Sequence, residues 1–128
     1  MPTTVGQFCI NVTDLERSTA FYEDIIGLKV QNHVEATGFR EVVLAADEGG
    51  GRLQLAHHDD GPATIDHGDA LWKFYFNVED AAAVTERAAA AGHTIEKPAE
   101  RLEQWPVTVA FLRDPDGYLV ELLQRHPS

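Results

Sequence analysis

Cysteine is nearly absent from this chain: Cys9 stands alone among 128 residues. One thiol can form neither an internal disulfide nor a cysteine-based zinc site. Basic residues are few, ten Lys and Arg against twenty-one Asp and Glu, for a net charge of −11. So acidic a chain lacks the basic patch that a phosphate backbone requires, and nucleic acid is not an expected partner. No apolar run approaches the roughly 18 residues of a membrane span, so no membrane contact is expected. The opening residues, MPTTVGQFCI, show neither a basic n-region nor an apolar h-region. That predicts no secretion signal and a cytoplasmic protein.

What remains is an ordinary globular composition, 44% hydrophobic and 24% charged. The length predicts one domain, 1–128, able to bury roughly two thirds of its unfolded surface. The chain also reads twice. Phe8-Cys9-Ile10-Asn11-Val12-Thr13-Asp14 returns as Phe74-Tyr75-Phe76-Asn77-Val78-Glu79-Asp80. Each copy runs into a helical stretch that stops at a glycine, Gly27 and Gly92. The segment from Asp47 to Leu55 then aligns with Asp114-Pro115-Asp116-Gly117-Tyr118-Leu119-Val120-Glu121-Leu122. Three anchors in the same order predict a duplication, with one module at about 5–57, a linker at about 58–70 and a second module at about 71–124.

Each copy reads as strand, helix and three strands. Phe8, Ile10 and Val12 alternate along the first strand. A capping box from Thr13 to Glu16, or Asp14 as N-cap, opens a helix over about Leu15 to Ile26. Leu15, Phe21, Tyr22, Ile25 and Ile26 form its buried side. Strands follow at Leu28 to Val34, Phe39 to Ala45 and Arg52 to His57. In the second copy the strands are Leu71 to Val78, His93 to Glu96, Val107 to Leu112 and Tyr118 to Gln124. Its helix spans Ala81 to Ala91, with Val84, Ala88 and Ala91 inward. The expected fold class is α+β, two βαβββ modules in tandem forming a cupped mixed sheet.

Strand parity then separates two faces. The helices cover Phe8, Ile10, Val12, Phe74, Phe76 and Val78. Gln7, Cys9, Asn11, Lys73, Tyr75 and Asn77 point the other way, as do Gln54 and Glu121. By the same register Glu41 and Thr108 join that polar set. Solvent-wetted antiparallel sheets are common, but polar groups on strands inside a partly apolar cup are the usual form of a ligand site.

Asp14-Leu15-Glu16-Arg17-Ser18, Phe21-Tyr22, Gly27-Leu28 and the late segment from Asp114 to Leu122 together resemble the vicinal oxygen chelate superfamily. That group includes glyoxalase I, extradiol dioxygenases and the fosfomycin- and bleomycin-resistance proteins. The resemblance covers about Val5 to Gln124 and implies paired glyoxalase-like modules, usually in a homodimer. It also implies that four positions on the first and last strands bind a divalent metal in glyoxalases. They correspond to Gln7, Gln54, Lys73 and Glu121. Only Glu121 is the usual type, although glutamine has precedent at position 7. Two amides and one carboxylate are weak ligands, and a protonated lysine repels a cation. Hence no cofactor is expected beyond weak divalent metal binding. An internal Lys73–Glu121 ion pair is expected instead.

Other candidates carry less. His57 and His58 are adjacent on a strand and point to opposite faces, so they cannot chelate together. His33, His67, His93 and His126 read as surface residues, and Cys9 as a small buried filler. Tyr75 and Trp105 read as an aromatic wall for a planar ligand, while even parity puts Trp72 in the core. Between Asp47 and Asp69 six acids stand against Arg52 alone, a solvated surface or a steering field for a cationic ligand.

The leading expectation is metal-independent binding or sequestration of a small, antibiotic-like organic molecule, held by Gln7, Gln54, Tyr75, Trp105, Glu41 and Thr108 in a homodimer. The alternative is a glyoxalase I-like lyase or isomerase acting on a carbon acid beside a carbonyl. In it Glu121 is the general base and Lys73 stabilises the enolate.

Overall fold

The computed structural model describes residues 2–127, which fall into two compact units dividing between Ile65 and Asp66. The first unit contains β1 (Gln7–Asn11), α1 (Leu15–Ala20) continuing as a π-helical segment (Phe21–Ile26), β2 (Lys29–Ala36), β3 (Phe39–Ala45) and β4 (Arg52–His58). Its sheet runs β1-β4-β3-β2, with β1 parallel to β4 and the other pairs antiparallel. The second unit repeats the plan: β5 (Phe74–Asn77), α2 (Ala81–Ala90), β6 (Ile95–Arg101), β7 (Val107–Arg113) and β8 (Leu119–Arg125), in the order β5-β8-β7-β6. The duplicated sequence thus folds as duplicated βαβββ units of the α+β class.

The two helices start alike. Asp14 Oδ1 accepts the Arg17 backbone N–H, and Asp80 Oδ1 accepts that of Ala83, both at 3.0 Å. Each satisfies an orphan donor of the first turn. Asp14, not Thr13, is therefore the first cap; the Thr13 hydroxyl instead accepts from Arg17 Nη2. The first helix widens after Ala20, and Tyr22 carbonyl accepts N–H groups from both Gly27 and Leu28. Gly27 closes it at φ +97°, a conformation that a side chain disfavours.

Each unit packs its helix against one face of its own sheet. Leu15, Phe21, Tyr22, Ile25 and Ile26 meet Val42, Leu44, Leu53 and Leu55 in the first core. Ala81, Val84 and Ala88 meet Ala110, Leu112, Val120 and Leu122 in the second. Small alanines let α2 lie close to its sheet, while aromatic and branched residues fill the first core. Ala91 follows the helix and is exposed, not inward.

Boundaries differ from expectation where edge strands are concerned. β5 begins at Phe74, leaving Leu71 and Trp72 outside the ladder and exposed. Trp72, expected in the core, is 76% exposed, because strand parity does not apply before the strand starts. β6 runs through Pro98 to Arg101; at a sheet edge the missing N–H costs little. No helix among the described residues is long and apolar enough to cross a membrane.

Candidate active site

The site in the second unit follows from β5, β7 and β8. Tyr75 lies opposite Glu121 across the parallel β5–β8 pair, and Phe111 lies opposite Glu121 across β7–β8. These three share a row on the face away from α2. Lys73, just before β5, extends its ammonium to Glu121, Nζ donating to Oε1 at 2.5 Å. The two side chains are only 11% and 8% exposed. Three rings surround the same ammonium, with centroids at 4.0 Å for Trp72, 5.0 Å for Tyr75 and 5.1 Å for Phe111. Each ring face attracts a cation.

Burial alone would push the Lys73 ammonium toward its neutral form. Hydrogen bonding to Glu121 and Tyr75, with their Coulombic attraction, overcomes this and raises its pKa above the ordinary lysine value. Lys73 is thus a fixed cation at neutral pH. A carboxylate and a caged ammonium side by side can hold a proton and an adjacent oxyanion.

Glu121 also borders a hollow of about 420 Å³ whose walls include Trp105, Val107, Val109, Leu123 and Arg125. That volume lies within the usual range for small-molecule sites. Trp105 stands at its rim, 58% exposed, and Tyr75 is 54% exposed. The structure therefore brings Lys73, Glu121 and Tyr75 together and puts Trp105 on the hollow beside Glu121.

Thr108 does not share this face. It pairs with Gln124 across β7–β8, and the Gln124 side chain accepts the N–H of Ala81 at the start of α2. Thr108 therefore lies on the helix-covered side, with its hydroxyl 2.7 Å from His126 Nε2. The correction is one of register: Val107, Val109 and Phe111 are the residues that share the Glu121 face. Phe111 and Trp72 were missing from the expected site. Counting β7 outward from the Glu121 pairing would have found Phe111; nothing in the strand pattern points to Trp72.

In the first unit, Gln7 Nε2 donates to Gln54 Oε1 at 2.8 Å. Glu41 lies on the same face, opposite Ala56. Cys9 is exposed rather than a buried filler. Partial burial and the Glu41 charge raise its thiol pKa, which disfavours the thiolate a nucleophile would need. His57 and His58 point apart as expected: His57 Nδ1 lies 3.2 Å from Val12 carbonyl, and the His58 ring lies beside Phe39. His67 is held by Asp116 carbonyl and stacks edge-on against Tyr118, bracing the Asp114–Gly117 turn.

The Glyoxalase/Bleomycin resistance protein/Dioxygenase superfamily model matches residues 4–122. The chain belongs to this superfamily. Among its relatives is a lactoylglutathione lyase of Haemophilus influenzae, 26% identical over 90% of this chain and 87% of that one. A probable lactoylglutathione lyase of Vibrio parahaemolyticus is 29% identical over 90% of this chain and 86% of that one. The superfamily fold is also that of the trypanothione-dependent glyoxalase I of Leishmania major, with TM-score 0.82 and 26% identity, covering 96% of this chain and 87% of that chain.

These relatives overturn the expectation that no cofactor is involved. They are lyases of the glyoxalase branch, for which the resemblance implies a divalent metal at the positions of Gln7, Gln54, Lys73 and Glu121. The donors present at those positions do not fit such an ion as they are arranged. The Lys73 ammonium has no lone pair to offer and is bonded to Glu121, while the two amides are bonded to each other. Among the described residues no three His, Cys, Asp or Glu side chains gather into a metal-holding group. The kinship and the donor chemistry therefore disagree.

Proposed function

We propose that the protein is a glyoxalase-like lyase or isomerase that moves a proton on a carbon acid next to a carbonyl. The observation that carries this is the Lys73–Glu121 pair, nearly buried, with its carboxylate bordering an apolar hollow. Glu121 is the general base: its carboxylate takes the proton from the carbon beside the carbonyl. The electron pair moves onto the carbonyl oxygen, and the Lys73 ammonium stabilises the enolate. Where that first carbon carries a hydroxyl, the proton returns from Glu121 to the former carbonyl carbon, while the hydroxyl gives its O–H proton to the enolate oxygen and becomes the new carbonyl. A preorganised cation in a water-poor site is worth more to that charge than one in solvent. Tyr75 and Trp105 pack the organic part of the substrate.

The named activity of the relatives supports this reading over sequestration of an antibiotic-like ligand. The test is turnover of hemithioacetals formed from thiols and 2-oxoaldehydes, that of glutathione among them, in deuterated buffer, followed by NMR. Wild-type protein is expected to exchange or transfer the carbon-bound proton. Glu121→Gln is expected to lose about 10²- to 10⁴-fold, the usual worth of a general base. Binding without turnover in the wild type would restore the sequestration reading. Undiminished turnover in Glu121→Gln would remove Glu121 from the reaction.

A further inference from the structure

Six residues, Gly68 to Lys73, connect His67 to the start of β5. Gly68 to Trp72 are all exposed, so the loop is not held by burial of its own side chains. Its two ends close on one ring instead. His67 stands edge-on to Tyr118 with centroids 4.7 Å apart, and Phe74 lies tilted against Tyr118 at 6.3 Å. Tyr118 itself is buried. A short loop fixed at both ends leaves its middle few conformations. Its last two residues are Trp72 and Lys73, whose ring centroid and ammonium lie 4.0 Å apart.

His67 grips a firm platform. Its Nε2 lies 2.8 Å from the Asp116 carbonyl, which can only accept, so the ring donates. The ring sits close over Gly117, where a Cβ would come within 3.2 Å of Nε2. Asp114 Oδ1 accepts the N–H groups of Asp116 and Tyr118, both at 2.9 Å, and Arg113 Nη1 donates to the Gly117 carbonyl at 3.1 Å. This turn feeds directly into β8, the strand that carries Glu121. On the loop side of the anchor, Asp66 Oδ1 accepts the Gly68 N–H at 3.1 Å and bends the chain around His67.

We propose that His67 is a positioning residue for Lys73. It ties the loop that carries Lys73 to the turn that feeds Glu121, and the clamped loop keeps the Trp72 ring over the ammonium. Trp72 is 76% exposed, so its place is set by how the backbone presents it rather than by packing. An ammonium held against a ring face stays beside Glu121; without that ring, the flexible lysine stem is freer to carry it toward water. The catalytic side of this role rests on the lyase reading; the mechanical side does not.

The experiment follows the NMR signal of the Lys73 ε-methylene protons in the full chain, which a ring face shifts upfield. Trp72→Leu is expected to move that signal downfield. His67→Ala is expected to move it the same way by roughly half as much or more, and His67→Gln, which retains an N–H donor for Asp116, to restore part of the shift. A purely structural anchor would lower the melting temperature without moving this signal. In turnover of the hemithioacetal of glutathione and a 2-oxoaldehyde, His67→Ala is expected to lower kcat about tenfold and to leave KM within about twofold. A Lys73 signal that stays in place in His67→Ala would overturn the proposal, since Trp72 would then stack on its neighbour without the clamp. A signal that Trp72→Leu does not move, or a shifted signal with undiminished kcat, would overturn it as well. Absence of turnover in the wild type would remove the lyase reading, and the methylene signal would still decide the clamp.

Discussion

The two units place a side-chain pair at equivalent points of the same plan and spend it differently. In the first, Gln7 and Gln54 join by one neutral hydrogen bond at 2.8 Å, with Gln7 exposed. In the second, Lys73 and Glu121 join as a charged pair at 2.5 Å, walled by three rings and nearly closed to solvent. A duplicated backbone therefore sets where the pair stands but not its character. Burial decides that. An exposed amide pair exchanges water for itself at little net gain, whereas a buried ion pair is costly to break and keeps a full charge where solvent cannot screen it.

The sharpest way to break the comparison is to remove one half of the charged pair. Lys73→Met leaves the Glu121 carboxylate in its buried position without a counter-charge. The expected loss is about 3–5 kcal/mol of unfolding free energy, measured by urea denaturation. Adding Glu121→Leu to the same chain removes the orphaned charge and is expected to recover most of that loss, while the proton-transfer activity stays absent. A single-variant loss below about 1 kcal/mol would match an exposed ion pair instead and would erase the contrast between the units.

A smaller effect separates the units by pH. The Lys73 pKa is raised in the folded chain, so its contribution to stability is fully present below the ordinary lysine value of 10.5. It is lost as pH rises through the folded pKa. The difference in stability between wild type and Lys73→Met should therefore hold constant from neutral pH to about 10 and shrink above it. A difference that shrank below pH 9 would contradict the raised pKa. The amide pair of the first unit has no proton to lose over that range and should show no such dependence.

Much of this arrangement was legible in the sequence, for identifiable reasons. The duplicated anchors and the period-2 alternation put Gln7, Gln54, Lys73 and Glu121 on the faces away from the helices, and the Lys73–Glu121 ion pair followed from opposite charges at two positions that the family resemblance brings together. Thr108 was misplaced because parity depends on the register between β7 and β8, and one residue of slip exchanges the two faces. Trp72 was misplaced because alternation was extended back past the point where β5 begins. The π-helical segment was not visible at all: Phe21, Tyr22, Ile25 and Ile26 suit a buried face at either helical period. The cofactor expectation failed for another reason. Donor types report local chemistry, whereas kinship to lactoylglutathione lyases reports ancestry, and here the two point in different directions.

The smallest expected effect tests the other side of the comparison. Gln54→Leu removes the acceptor of the Gln7 amide and leaves both neighbours able to reach water. The stability change should stay within about 1 kcal/mol, the net worth of a neutral hydrogen bond, by the same denaturation measurement. Leu is close in size, and Gln54 faces Val43 and Cys9 across its strand neighbours, so the new side chain meets partly apolar surroundings. A loss near that of Lys73→Met would mean the amide pair is as sequestered as the charged one. The contrast between the units would then lie in charge alone rather than in burial.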